Sequence, residues 1–133
     1  MTSTPMPTPL PDTLLQFIRL CIPTYQAAEV LLFFAAHPDG QWSPEETVVA
    51  IRPVVVTVPA MREYLVLFAK TSLLAETNGE FRYDPSPELE ACVGELARAY
   101  NEKPVTLIRA IYRIADSKIQ SFADAFKLRE DES

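Results

Sequence analysis

The sequence is poor in glycine, cysteine and histidine, and it has no long hydrophobic run. Its three glycines, at positions 40, 79 and 94, are too far apart to form a loop that cradles a phosphate. Cys21 and Cys92 form neither a CxxC pair nor a disulfide-dense framework, which indicates reduced thiols in a cytoplasmic protein. The longest uncharged apolar stretch, residues 30–36, is far shorter than the ~20 residues of a membrane-spanning helix. We therefore expect no membrane anchor.

The scarcity of histidine argues against catalysis. The single histidine, His37, comes directly before Pro38 at the end of a helical pattern. No arrangement of cysteine and acidic residues around it has the spacing of a metal site or a catalytic triad, so we expect His37 to cap a helix or lie at the surface. The sequence predicts no catalytic residue, no metal ligand and no cofactor, and therefore a protein that is not an enzyme.

What is present suits one soluble domain with an uneven charge. Of the 133 residues, 48% are hydrophobic and 23% are charged, and the formal net charge is −6. Residues 1–97 carry five basic and twelve acidic side chains, whereas residues 98–129 carry seven basic and three acidic ones. A chain of this overall charge is repelled by nucleic acid at long range, so any binding to DNA must be local and sensitive to salt.

The two ends differ in composition from the middle. Proline occupies every second position from 5 to 11, which disfavours both helix and central strand, so residues 1–11 are predicted to be a disordered tail. Residues 12–129 are predicted to form a single domain, whose C-terminal helical extension spans residues 105–127. Residues 130–133 are predicted to be a solvated acidic end.

Capping signals and apolar spacing predict four helices in the first half of the chain. Asp12 is expected to cap a helix over 13–22, and Thr24 a central helix over 25–37. The segment Ser43-Pro44-Glu45-Glu46 predicts a capping box that opens a helix over 44–52. After an extended connection over 54–58, a helix with Met61, Leu65 and Phe68 on its apolar face is expected.

The second half begins with a hairpin. Asn78-Gly79 is the strongest short-range hairpin signal, and it places Phe81 and Tyr83 on one face with Arg82 on the other. Ser86 is expected to cap the next helix, within which Gly94 indicates close packing or a hinge. Two further helices are expected, over 105–115 and 117–127, the second capped by Asp116 or Ser117. The inner face of the first is expected to hold apolar residues at 105, 108, 111, 112 and 115.

Short helices followed at once by a two-stranded hairpin are the element order of a winged helix-turn-helix. The fold class predicted is therefore mainly α, with a winged helix-turn-helix core, a small β-hairpin wing and additional C-terminal helices. The chain also resembles bacterial winged-helix proteins of the transcriptional-regulator type over roughly residues 24–129. The residues that carry this resemblance lie in five segments, at 28–38, 42–46, 79–83, 95–100 and 121–129.

The resemblance implies a DNA-binding surface. Residues that read bases would lie near the start of the third helix of that core, at Thr57, Ala60, Met61, Arg62 and Glu63. Phosphate contacts would fall to Arg52, Lys70 and the wing residue Arg82. The sequence departs from a strong DNA binder here, because Glu76, Glu80 and Asp84 accompany Arg82 in the hairpin segment.

An alternative function is protein contact without DNA binding. The C-terminal helices lie outside a minimal winged-helix core, and each is apolar on one side, so they are candidates for a homodimer or adaptor interface. They could equally fold back on their own domain. The candidate interface residues are Ile108, Arg109, Ile111, Arg113, Ile119, Phe122 and Phe126.

Overall fold

The computed structural model describes the backbone of residues 10–131 and the side chains of residues 10–120. The expected tail over 1–11 and acidic end over 130–133 lie largely outside this range. Within it, the chain is mainly helical, with six helices and a two-stranded antiparallel sheet. The elements in order are α1 (Asp12–Cys21), α2 (Tyr25–Ala36), α3 (Pro44–Ala50), α4 (Val58–Lys70), β1 (Leu74–Thr77), β2 (Glu80–Tyr83), α5 (Pro87–Glu102) and α6 (Pro104–Asp131).

Side-chain caps start four of the helices at the expected positions. Thr24, Thr57 and Ser86 each accept a hydrogen bond from the backbone N–H three residues later. At α3 the predicted capping box is confirmed: Glu46 N–H donates to Ser43 Oγ at 3.1 Å, and Ser43 N–H donates to Glu46 Oε1 at 2.9 Å. The helix predicted over 13–22 forms as α1, but its predicted cap is wrong, because Pro11 occupies the cap position and Asp12 is already helical. There its charge complements the helix dipole.

Helix α2 lies at the centre of the core. Ala27, Ala28, Val30, Leu31 and Phe34 are all buried, which is the burial expected of a helix with neighbours on several sides. Helices α4 and α5 and strand β2 pack against it. The predicted inner face of α4 is confirmed, because Met61, Leu65 and Phe68 are fully buried.

The hairpin forms as predicted and is joined by a third extended segment. Strands β1 and β2 pair antiparallel, with Leu74 opposite Tyr83 and Thr77 opposite Glu80. Asn78 and Gly79 have positive φ values of 52° and 81°, as their tight turn requires. Trp42, between α2 and α3, forms an antiparallel bridge to Phe81 on β2. The sheet therefore ties the chain before α3 to the hairpin after α4.

The prediction of two C-terminal helices is wrong. Residues 104–131 form one continuous helix of 28 residues, with no break at Asp116 or Ser117. Both residues can cap a helix, but neither removes a backbone donor nor requires a positive φ, so the hydrogen-bond ladder continues through them.

The predicted inner face of the last helix is also wrong in part. Among the side chains of α6 that the structure describes, Leu107 and Ile111 are fully buried, and Ala110 and Ile114 pack beside them against α1 and α5. Val105 and Tyr112, which were expected to face inward, are 58% and 64% exposed. The inner face of α6 is thus rotated away from the face that the sequence pattern had indicated.

The expected close packing of a neighbour against Gly94 is wrong. Gly94 lies on an exposed face of α5, and no side chain or neighbouring element lies within 4 Å of the point that a Cβ atom would occupy. The absence of a side chain at this position is therefore not required by packing.

Candidate functional site

The exposed face of α4 carries two of the predicted DNA-contacting cations. Arg62 and Lys70 line a shallow groove of about 560 Å³ on this face, together with Pro59, Glu63, Val66 and Leu67. Arg52 is exposed in the turn that follows α3, and Arg82 is exposed on β2. The structure therefore places the predicted cations on α4, on the hairpin and in the turn between α3 and α4.

Of the residues predicted to read bases, one is buried and another caps a helix. Met61 is fully buried beneath α4, because the helical spacing that places it near the start of α4 also turns it toward the core. The Thr57 hydroxyl accepts the Ala60 N–H at 3.2 Å and is thus occupied as a helix cap. Arg62 and Glu63 remain as exposed polar residues in the first two turns.

Arg62 is paired with an acidic residue of the preceding helix. Its guanidinium donates to Glu45 Oε2 at 3.2 Å, and the two side chains are 55% and 61% exposed. An ion pair this exposed contributes little to stability. The Glu45 carboxylate occupies one of the guanidinium donors that a phosphate contact could use.

Arg82 on the hairpin also lies near an acidic residue. It is 3.7 Å from a carboxylate oxygen of Asp84, and Glu76 and Glu80 lie in the same hairpin. Over residues 40–85 there are four basic and six acidic side chains, so this part of the chain is net negative.

The middle of the α4 groove is apolar. Val66 and Leu67 are half-buried and lie between Arg62 and Lys70 along the helix, with Glu63 beside them. Neither residue was predicted from the sequence. Both are interspersed with the buried residues Met61, Leu65 and Phe68, and the apolar pattern alone does not show that Val66 and Leu67 face outward. An apolar patch with charges of both signs around it is the composition of a protein-binding surface.

The candidate interface residues of the C-terminal region are divided between core and surface. Ile111 is only 1% exposed and belongs to the chain's own core, so it is not presented to a partner. Arg109, Arg113 and Ile119 are exposed, and Ile108 is partly exposed. Phe122 and Phe126 lie in α6, but their side chains are outside the described residues.

The single histidine contacts α2, and the two cysteines are protonated thiols. The Nδ1 atom of His37 is 2.9 Å from the Phe33 carbonyl oxygen one turn earlier, and its ring packs beside that of Phe33. Burial raises the pKa of the Cys21 and Cys92 thiols, so both are protonated near neutral pH. Among the described side chains of residues 10–120, no group of three or more histidine, cysteine, aspartate or glutamate residues could hold a metal ion.

A polar cluster joins α2 to α5. The Tyr100 hydroxyl donates to Glu29 Oε2 at 2.9 Å, and the Tyr100 ring stacks on Tyr25 with a centroid distance of 5.7 Å. Burial and the adjacent Glu29 carboxylate raise the pKa of Tyr100 to about 12. The cluster is held by contacts on both helices and therefore fixes their relative position.

No single helix in the described part of the chain is long and apolar enough to cross a membrane; α1 and α2 reach the required length and hydropathy only as a pair bent by 101°. Comparison with protein families, curated proteins and solved structures found no match to this chain.

Proposed function

We propose that residues 25–83 form a winged helix-turn-helix, with α2, α3 and α4 as its three helices and β1–β2 as its wing. The order of the elements supports this assignment, and so does the pairing of Trp42 with Phe81. In such a fold the segment between the first two helices is a short strand beside the wing. The Trp42 N–H donates to the Phe81 carbonyl at 2.9 Å, and the Phe81 N–H donates to the Trp42 carbonyl at 2.8 Å.

We further propose that this unit is a protein-interaction module of the transcriptional-regulator type, which contacts another protein through the α4 groove. The observation that carries the proposal is the pairing of Arg62 with Glu45 and of Arg82 with Asp84. Phosphate contacts supply most of the affinity of a DNA-binding protein, and each requires a cation that is available to the backbone. A net negative surface with paired cations offers few such contacts.

The groove chemistry defines the partner expected. Val66 and Leu67 provide an apolar centre, while Arg62 and Lys70 at its two ends along the helix and Glu63 beside it provide charges of both signs. A complementary segment would present two or three apolar side chains at helical spacing, flanked by an acidic and a basic residue. The apolar centre would supply the affinity, and the charges would set the orientation.

Site-specific photo-crosslinking in cells tests this proposal. A photoreactive amino acid at Val66 is expected to cross-link one discrete protein, whereas the same amino acid at Gln16, exposed on α1, is expected not to capture it. Leu67→Asp in the Val66-labelled chain should abolish the cross-link. Because Leu67 is only half-buried, the variant should remain folded, as circular dichroism would establish. A cross-link that is equal from both positions would contradict the proposal.

A second candidate function is the reading of duplex DNA. It is favoured by the exposure of Arg52 and Lys70 and by the exposure of the Arg62–Glu45 pair, which a phosphate could displace. If α4 reads DNA, Arg62→Ala with Lys70→Ala should abolish binding to any duplex. If α4 instead binds a protein, the same double variant should weaken the Val66 cross-link. The wild type should then show no affinity for duplex DNA that the variant could lose.

A further inference from the structure

Helix α6 has a second apolar stripe that the domain does not cover. Val105, Tyr112 and Ile119 are 58%, 64% and 66% exposed, although each is a large hydrophobic residue. They are spaced by seven residues, and the partly exposed Ile108 and Ala115 lie three residues after the first two. Positions that alternate by three and four residues in this way form the seam of a coiled coil.

This stripe is distinct from the face of α6 that packs on the core. Leu107 and Ile111 are fully buried against the domain, with Ala110 and Ile114 beside them. On a helix of 3.6 residues per turn, the centre of that set points well away from the line through Val105, Tyr112 and Ile119. The helix therefore has one apolar face for its own domain and another that is open to solvent.

We propose that the open stripe of α6 pairs with the α6 helix of a second copy of this chain in an antiparallel coiled coil. This proposal does not depend on the proposed function, because α6 lies outside residues 25–83 and its stripe is separate from the α4 groove.

The length of the helix supports a partner of the same kind. The 28 residues of α6 extend about 42 Å at 1.5 Å per residue. The sequence continues the seven-residue spacing to Phe126 and the three-residue offset to Phe122. Three heptads thus separate the first and last residues of the series, which is the extent that a stable coiled coil needs.

Charge favours the antiparallel orientation. Residues 104–115 carry two cations, Arg109 and Arg113, and no anion. Residues 116–131 of the same helix carry three cations and four anions. Antiparallel pairing places the positive half of each helix beside the negative half of its partner, whereas parallel pairing places like charges side by side. The opposed helix dipoles favour the same arrangement.

A shallow groove beside the stripe can receive side chains of the partner helix. It has a volume of about 230 Å³ and lies between α6 and the end of α1. Ile22, Pro23, Ile114, Ala115 and Ile119 supply its apolar lining, and Lys118 completes it. The partner helix would thus contact both α6 and the turn after α1.

Sedimentation equilibrium of the full chain tests the pairing. At about 100 μM, wild type should have twice the 14.9 kDa mass of one chain. Tyr112→Glu with Ile119→Glu should give a folded monomer, and Val55→Glu, at an exposed apolar position off α6, should leave the dimer intact. A wild-type mass of one chain, or a dimer that persists in the double glutamate variant, would overturn the proposal.

Two further variants keep the test decisive. If the glutamate variant does not fold, Tyr112→Ala with Ile119→Ala retains the helix and should weaken the dimer about 100-fold. An unchanged dissociation constant would overturn the pairing.

Arg109→Glu with Arg113→Glu tests the orientation. In an antiparallel pair it places negative charge beside negative charge and weakens the dimer, whereas an unchanged dimer would overturn the antiparallel arrangement.

Discussion

Trp42 and Phe81 exchange two backbone hydrogen bonds across 39 positions of sequence, at 2.9 and 2.8 Å. Phe81 is buried in the core, and the Trp42 ring packs edge-on against Phe33 of α2 with a centroid distance of 5.1 Å. The segment between α2 and α3 is therefore fixed to the hairpin by its backbone and to α2 by its side chain. This pairing therefore joins the two ends of the chain segment that contains α3 and α4.

Native-state hydrogen exchange measured by NMR should report this pairing directly. The amide protons of Trp42 and Phe81 are expected to exchange much more slowly than that of the exposed Gln41, because both are donors in paired backbone hydrogen bonds. Equal exchange rates for Trp42 and Gln41 would mean that the bridge does not persist in solution.

Gly94→Ala is expected to stabilise the protein by about 0.5–1 kcal/mol, because it removes the entropic cost of glycine within α5 and meets no neighbour. The measurement is the free energy of unfolding in urea. Gly40→Ala is the contrasting variant: its Cβ would lie 2.5 Å from Trp42 Nε1, and the crowding should cost about 1–3 kcal/mol. Destabilisation by Gly94→Ala would indicate a packing role that the structure does not contain.

Ser43→Ala is expected to lower the free energy of unfolding by about 1 kcal/mol, because it removes the acceptor for the Glu46 N–H at the start of α3. Glu46→Gln is the matched control. A glutamine can still accept the Ser43 N–H, so this variant should lose much less. An unchanged free energy of unfolding in Ser43→Ala would show that the capping box does not stabilise α3.

Stability should fall at high pH through Tyr100. Its pKa is raised from 10 to about 12, so the folded chain favours the neutral phenol. The resulting stabilisation is complete below pH 10 and is lost as the pH rises through about 12. In Tyr100→Phe the fall in the urea midpoint over this range should be smaller; Tyr83, whose pKa is also raised to about 12 by burial and the Glu90 carboxylate, should account for part of the remainder. An identical pH profile in wild type and variant would contradict this assignment.

Local signals made the caps and the hairpin predictable from sequence. The Ser43–Glu46 capping box and the Asn78-Gly79 turn depend on residues within four positions of each other, so their geometry follows from the residues themselves. The first residue of α1 was harder to predict from the sequence, because Pro11 and Asp12 are both compatible with a helix start.

Contacts between distant residues could not be predicted in this way. The Arg62–Glu45 pair depends on how α3 packs beside α4, and the Trp42–Phe81 bridge depends on where the hairpin folds back. For a related reason, the sequence pattern identified the face of residues 105, 108, 112 and 115 but assigned it wrongly to the inner side of α6. Its apolar residues lie on two faces, and the sequence does not say which face the domain covers until α1 and α5 are in place.

The affinity for mixed-sequence duplex DNA, measured by fluorescence anisotropy in wild type and in Glu45→Gln with Asp84→Asn, tests the central claim most directly. The claim is that the Glu45 and Asp84 carboxylates limit the contact of Arg62 and Arg82 with phosphates. At about 50 mM salt, wild type should show no binding below ~100 μM, and the double variant should bind with a salt dependence that reflects about two added phosphate contacts. Wild-type binding below ~1 μM that Arg62→Ala abolishes would contradict the claim.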